Sequence, residues 1–248
     1  MTKTGGLGDN LYIGGYDLSG DIGALSSVQG GNKPIDVTGI NKGGMERIGG
    51  ARDGSMAWSA FFNPSPGQAH PVLSALPRAD IVATYCRGTN LGDPCASLVA
   101  KQVNYDGNRA NSGEFTFACD AQGNAYGLEW GVQLTAGLRT DAAATNGAGV
   151  DTAASASFGA QAYLQVTAFT GTDVTIKIQD SADNVTFADV AGLTFTAVNA
   201  APTTQRIATG NTATIRRYVR AVTVTTGGFT SVTCSVHLTK NEIAGVTF

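Results

Sequence analysis

Counting by twos from Met56 places Met56, Trp58, Ala60 and Phe62 on one side of an extended segment, and Ser55, Ala57, Ser59 and Phe61 on the other. Side chains alternate across a strand, so this stretch predicts a strand over 55–62 with one bulky apolar face. The same period returns at 114–119, where Phe115, Phe117 and Cys119 share a face opposite Glu114, Thr116 and Ala118. After DAQGNA it resumes, with Tyr126, Leu128, Trp130, Val132 and Leu134 on one side and Gly127, Glu129, Gly131, Gln133 and Thr135 on the other. Two alternating runs around a Gly-Asn turn predict a β-hairpin. The expected core strand positions are Met56, Trp58, Phe62, Phe115, Phe117, Leu128, Trp130 and Val132.

Elsewhere in the first half the pattern is weaker. Residues 1–50 are broken by glycine, with short extended pieces at 11–17 and 34–38 and a break at Gly30-Gly31-Asn32. The Arg52-Asp53-Gly54 step reads as the turn that starts the 55–62 strand. Val72, Leu73 and Leu76 predict one short helix over 69–77, stopped by Pro77, and strands follow at 81–86 and 97–105. Residues 140–160 are almost all small and lack a sustained period, as a linker would. Alternation then resumes at Leu164/Val166/Ala168, Val174/Ile176/Ile178, Leu193/Phe195, Tyr218/Arg220/Val222/Val224 and Val232/Cys234/Val236/Leu238. Short strands at this spacing describe an antiparallel sandwich of the immunoglobulin-like or jelly-roll kind. The fold class is therefore all-β with one short helix. The expected division is a first domain over 1–140, a Gly/Ala-rich linker over 141–159 and a β-sandwich over 160–248.

Composition narrows the function more by exclusion than by suggestion. Charged residues are only 14 % of the 248, and Gly reaches 33, which fits a turn-rich β protein whose surface meets partners. A net charge of −3 and a pI near 5.3 lack the basic face of a sequence-reading nucleic-acid binder. The apolar runs are too short to span a bilayer, and MTKTGGLGDN lacks a signal-peptide core. Cys86, Cys95, Cys119 and Cys234 have no CxxC spacing and read as free, buried thiols. His70 and His237 have no partner at metal-ligand spacing, and alternation puts His237 opposite Cys234, Val236 and Leu238, on an exposed face. Gly5–Asn10 lacks the flanking strand, helix and Lys of a phosphate loop, so a terminal arm is the better reading. Asp180, Asp183 and Asp189 lack EF-hand spacing, and Asn184-Val185-Thr186 is a sequon without a secretory context. Arg216, Arg217 and Arg220 read as an exposed strand with cross-strand charge pairs. No catalytic, cofactor or metal residue is assigned, and an enzyme is not expected.

The segment IDVTGINKGGMERIGGARDGSMAWSAFFN resembles the major tail tube proteins of long, non-contractile-tailed phages, especially those of actinobacteria. The matching residues are Asp36, Val37, Thr38, Gly39, Glu46, Arg47, Ile48, Arg52, Asp53 and Gly54. HPVLSALPRAD, CRGTNLGDPCASLVAKQVNYD and YGLEWGVQL are similar to the same family, so the resemblance spans about residues 10–140. It implies a structural virion protein, made in the host cytoplasm and assembled into the phage tail. Such subunits form hexameric rings that stack into a β-lined channel for DNA ejection. The implied partners are further copies of the chain, a tape measure protein, and tail terminator and distal tail proteins. DNA would pass without sequence-specific binding, and no cofactor or membrane insertion is implied. The 160–248 unit would sit on the tube exterior. Glu114, Thr116, Glu129 and Gln133 would then face a mildly acidic lumen. The alternative is a virion decoration protein or a sandwich that binds glycan on a cell surface.

Overall fold

The computed structural model describes residues 5–243, so the first four residues of the expected N-terminal arm and the last five of the C-terminal unit lie outside the described residues. The first half contributes β1 (Asn10–Ile13), β2 (Tyr16–Asp17), β3 (Ile22–Asp36), β4 (Arg47–Phe61), β5 (Ile81–Cys86), β6 (Pro94–Gln102), β7 (Asp106–Arg109), β8 (Phe115–Gly123) and β9 (Glu129–Gln133). A short helix, α1 (Ala69–Leu73), lies between β4 and β5. The second half contributes β10 (Arg139–Asp141), β11 (Val150–Asp151), β12 (Ala160–Gly171), β13 (Thr175–Ser181), β14 (Ala188–Thr194), β15 (Thr203–Ala208), β16 (Tyr218–Val224) and β17 (Phe229–Lys240). Among the described residues the chain is all-β with one short α-helix, as its alternation predicts, and a single 3-10 turn at Ser19–Asp21.

One sheet of 13 strands runs β15-β12-β17-β9-β6-β5-β1-β2, with β10 on β17 and with β8, β4, β3 and β7 branching from β6. A second, four-stranded sheet runs β11-β16-β13-β14. Two apolar cores result. One lies between β12/β17 and the second sheet, where Leu164, Val166, Val236 and Leu238 meet Ile176, Ile178, Leu193, Phe195 and Val219. The other gathers Met56, Trp58, Ala60, Phe117 and Cys119 with Leu11, Ile13, Leu73 and Leu98. The halves keep separate cores yet share a sheet, because β17 pairs with both β12 and β9.

The segment 141–159 differs from the expected linker. Val150 pairs with Val219, Ala156 bridges Ile215 and Asn146 bridges Val222, so the segment is strapped along β16. Small residues suit this because the strap lies close against a neighbouring backbone: a Cβ on Gly147 would stand 2.5 Å from Ala221 O. Val222, on the side of β16 away from Val219 and Ala221, is buried and bridges the strap at Asn146.

The expected hairpin of β8 and β9 does not form. Both strands run antiparallel to β6, at Ala100–Gln102 and Pro94–Ser97, so they follow one another along the same edge. Residues 124–128 are an outward bulge rather than a reversal. Asn124 N–H still bonds Val99 O at 2.9 Å, and Ala125 takes a left-handed φ of 67°. Leu128 turns back from this bulge into the core against β3 and β4.

Arg52-Asp53-Gly54 also differs from expectation: it lies inside β4, opposite Asn32, Gly31 and Gly30. The position of Leu128 explains the glycine, since a Cβ at Gly54 would stand 2.5 Å from Leu128 N and 2.8 Å from Leu128 Cβ. Backbone cannot yield as a flexible side chain can. Gly54→Ala is therefore expected to destabilise the chain by about 1–3 kcal/mol through overpacking. Urea unfolding checks this; an unchanged midpoint would show that the bulge does not press on β4.

Candidate functional site

Two features stand out: an open-edged sheet with a projecting arm, and a buried polar seam. The branch β3-β4-β8-β7 places Met56, Trp58, Ala60, Phe117, Cys119 and Ala121 on the core. The opposite face carries Ser55, Ala57 and Ser59 on β4, Thr116, Ala118, Asp120 and Gln122 on β8, and Asp106 and Asn108 on β7. These residues are small, polar or acidic; exposed Phe61 ends the β4 row opposite Thr116, and Lys33 meets Asp53 at the arm end of the same face. Among the described residues β3 pairs only with β4 and β7 only with β8, so both edges of the branch are unpaired.

Beyond residue 54, toward the tip, β3 and β4 pair only with each other. Their register runs from Gly30↔Gly54 to Asp36↔Arg47, and residues 37–46 close the tip. Val37 N–H bonds Glu46 O, and Thr38 Oγ1 donates to Asp36 Oδ1 at 2.6 Å. The arm exposes Ile35, Val37, Ile40, Met45 and Ile48. A lone two-stranded ribbon is marginal in water, and unpaired edges with apolar side chains invite further strands. The matching residues of the tail tube resemblance, 36–54, fall on this arm.

The seam lies on the side of β12 and β17 away from the sandwich core. Gln161, Tyr163 and Gln165 on β12 and Ser235 and His237 on β17 are buried with Glu129, Gln133, Thr84 and Ser97. Gln165 joins the halves: its Oε1 accepts from Gly15 N–H at 2.8 Å, and its Nε2 donates to Val82 O at 3.0 Å. Glu129 accepts from Tyr163 OH and Gln161 Nε2, with Arg52 Nη1 at 3.7 Å and Arg206 Nη2 at 3.6 Å. At one end Cys86 Sγ lies 2.6 Å from Cys95 Sγ and 3.4 Å from His237 Nε2. Their ligand-type atoms lie within 4.8 Å of one another, a group of donors suited to a soft metal.

Several sequence expectations change here. Glu129 and Gln133 are 3 % and 0 % exposed, so they face this seam and not a lumen. The bulge shifts the phase of β9, leaving Trp130 half-exposed against Tyr85 and Val132 half-buried. Met56, Trp58, Phe117 and Leu128 are buried core residues. Phe62 and Phe115 lie 5.3 Å apart in a partly exposed aromatic cluster with His70. Glu114 is exposed and Thr116 half-buried on the open-edged branch. His237 is on the face opposite Val236, as alternation requires, but buried, because that face meets a second set of strands. Its approach to Cys86, 151 positions away, leaves no signal in local spacing. The arginines take specific partners: Arg216 pairs with Asp180, Arg217 with Asp151, and Arg220 donates to Gln179. Among the described residues no helix is long and apolar enough to cross a membrane.

Buried phenols give the seam a pH signature. Burial, then the nearby Glu129 carboxylate, pushes the Tyr163 phenol up; burial, then the Cys86 sulfur, does the same to Tyr12. Burial also raises Tyr85 and Tyr105 to about 12. A raised folded value favours the native state fully below the unfolded value near 10, and that stability is lost as pH rises through the folded values. Stability should fall above pH 10, by about 1.4 kcal/mol per pH unit for each of the two fully buried phenols. Lys240, lowered to about 8 by burial, adds stability between there and its unfolded value and offsets only part of that fall, to which the buried thiols of Cys95, Cys119 and Cys234, raised by burial, also contribute. Urea midpoints measured from pH 9 to 12 test this; a flat profile above pH 10 would refute it.

The fold and surface define an all-β protein with an open-edged sheet and exposed apolar side chains on its arm. The sequence matches no protein-family model and no curated protein. Among solved structures, the chain is similar to the SPP1 Dit (gp 19.1) protein, described as a paradigm of the hub adsorption apparatus in Gram-positive-infecting phages. That match has a TM-score of 0.34 and 12 % identity over 93 % of this chain and 98 % of the other. A second match is the phage p2 baseplate in its activated conformation with Sr, at TM-score 0.34 and 10 % identity over 95 % and 99 % of the two chains. A similarity at this level leaves the functional reading to the chain's own residues.

Proposed function

We propose that this chain is the subunit of a phage tail tube, a structural and non-enzymatic virion protein. The observation that carries the reading is the β3-β4-β8-β7 branch, unpaired at both edges among the described residues and with a middle face of small, polar and acidic side chains, the one lysine, Lys33, being paired with Asp53 at its arm end. Joining such branches from successive copies removes every open edge by closing a ring. The Ser55/Ala57/Ser59 and Thr116/Ala118/Asp120 rows would then line the bore. Lysine or arginine there would hold phosphates and release counterions, whereas small and acidic side chains let DNA slide. The apolar arm would rest on a neighbouring copy, and the sandwich would lie outside. Hexameric symmetry, stacking, and contact with tape measure, terminator and distal tail proteins belong to the same proposal.

Negative-stain microscopy of the purified full chain is expected to show rings or tubes with a central bore. Monomers that persist at high concentration, even with tail-initiating partners added, would overturn the reading.

A further inference from the structure

We propose that Cys86 and Cys95 are a built-in disulfide site, closed by a small peroxide oxidant, with His237 as the proton acceptor. The inference goes beyond the tube reading and rests on neighbouring side chains alone.

Cys86 and Cys95 are direct partners at the last step of the β5–β6 ladder. The next pair, Arg87 and Pro94, carries a ladder bond, from Arg87 N–H to Pro94 O at 2.9 Å. Bonded and non-bonded pairs alternate, so Cys86 and Cys95 form a non-hydrogen-bonded pair. In such pairs the Cα atoms stand about 4.5 Å apart, within the range that a disulfide spans. Both side chains point into the seam, and their sulfurs are 2.6 Å apart. Two thiolates on one tetrahedral zinc would sit roughly 3.8 Å apart, given bonds of about 2.3 Å. With only one further ligand-type atom among the described residues, His237 Nε2, in the group, the cross-strand pair of thiols is the part the ladder itself holds in bonding register.

The surroundings supply the proton acceptor. His237 Nε2 lies 3.4 Å from Cys86 Sγ and 2.8 Å from Ser235 Oγ, and Tyr12 stacks on the imidazole. Cys95 donates its S–H to Cys86, leaving Cys86 as the sulfur with free electron pairs. Burial, opposed by the Cys95 hydrogen bond and by His237, leaves Cys86 lowered to about 6, whereas burial raises Cys95. Cys119 and Cys234 are also buried but have no second thiol within bonding distance, and burial raises both.

The step balances with hydrogen peroxide as oxidant. Cys86 passes its proton to His237, and its sulfur attacks one peroxide oxygen. The O–O bond breaks, and the departing hydroxide takes that proton and leaves as water. Cys86 is then a sulfenic acid. The Cys95 sulfur attacks the Cys86 sulfur, the S–O bond breaks, and the hydroxyl leaves as a second water with the Cys95 proton. Two electrons have moved from the thiols to the peroxide. The new bond staples β5 to β6 beneath the 87–93 turn.

The test uses the full chain, first reduced, then exposed to hydrogen peroxide, denatured, alkylated and analysed by intact mass and peptide mapping. The expected result is two alkylated cysteines instead of four, a Cys86–Cys95 linked peptide, and Cys119 and Cys234 fully alkylated. Cys95→Ser should instead stop at a Cys86 sulfenic acid that dimedone captures. Four alkylated thiols after peroxide, or sulfinic acid on Cys86 without a linked peptide, would overturn the proposal. So would zinc bound at one ion per chain in the purified protein.

Discussion

Replacing Glu129 with alanine is expected to lower the unfolding free energy by about 3–5 kcal/mol, the range for removing one partner of a buried charge pair. Glu129 is 3 % exposed, and the Arg206 side chain beside it is 8 % exposed. Arg206 also stacks on the Tyr126 ring at 3.7 Å, so its guanidinium is held in place by packing. Without the carboxylate, the cation stays buried, and Tyr163 OH and Gln161 Nε2 lose their acceptor. Glu129→Gln keeps an acceptor oxygen for one of the two donors, which bond different carboxylate oxygens, and should recover only part of the loss because the charge and the second acceptor are gone. Urea unfolding of both variants, with exposed Glu114→Ala as a control expected within about 0.5 kcal/mol of the parent, measures this. A Glu129→Ala midpoint equal to the control would mean that water reaches the seam.

The way Glu129 was concealed in the sequence shows what alternation can and cannot say. Period two separated the faces of β4, β12 and β17 correctly, since Met56 and Trp58, Leu164 and Val166, and Val236 and Leu238 are all core. Period two also placed the strand at Ile81–Cys86, and helical spacing placed a helix from Ala69, but α1 ends at Leu73, four residues short of Pro77, and Leu76 takes a left-handed φ of 42°. What alternation cannot reveal is the environment of the second face. On β12 and β17 that face meets other strands, so Gln161, Gln165 and His237 are polar by sequence and buried in fact. Nor can it tell a bulge from a reversal. DAQGNA has the residues of a hairpin turn, yet β6 offers one long edge on which β8 and β9 both pair. That choice is tertiary, and it turned Trp130 outward and Glu129 inward. The Cys86–Cys95–His237 group was hidden for the same reason: the first two are cross-strand neighbours, but the third arrives from the far end of the chain. The glycines at 30, 31, 49 and 50 looked like breaks and are instead strand residues of an arm.

That arm carries the second large effect. The double substitution Ile35→Glu with Ile48→Lys is expected to abolish ring and tube formation while leaving the folded monomer intact. Ile35 and Ile48 are cross-strand partners, 49 % and 54 % exposed. An opposite-charge pair at the same place supports the ribbon by about 0.2–1 kcal/mol, so the arm keeps its shape. The apolar surface, however, is gone. Fully burying an isoleucine is worth about 1.5–3 kcal/mol, and these two start about half exposed, so losing both weakens each contact by at least roughly 10-fold. In a ring every copy makes that contact, and the losses multiply before closure. Val185→Lys is the control, because Val185 is 81 % exposed in the second half, on a turn away from the arm. Sedimentation and negative stain would show parent-like assembly for the control and monomers for the double variant, with equal thermal melting of the monomers. Normal tubes from the double variant would remove the arm from the interface, and assembly would then have to rest on the open edges of β3 and β7 alone.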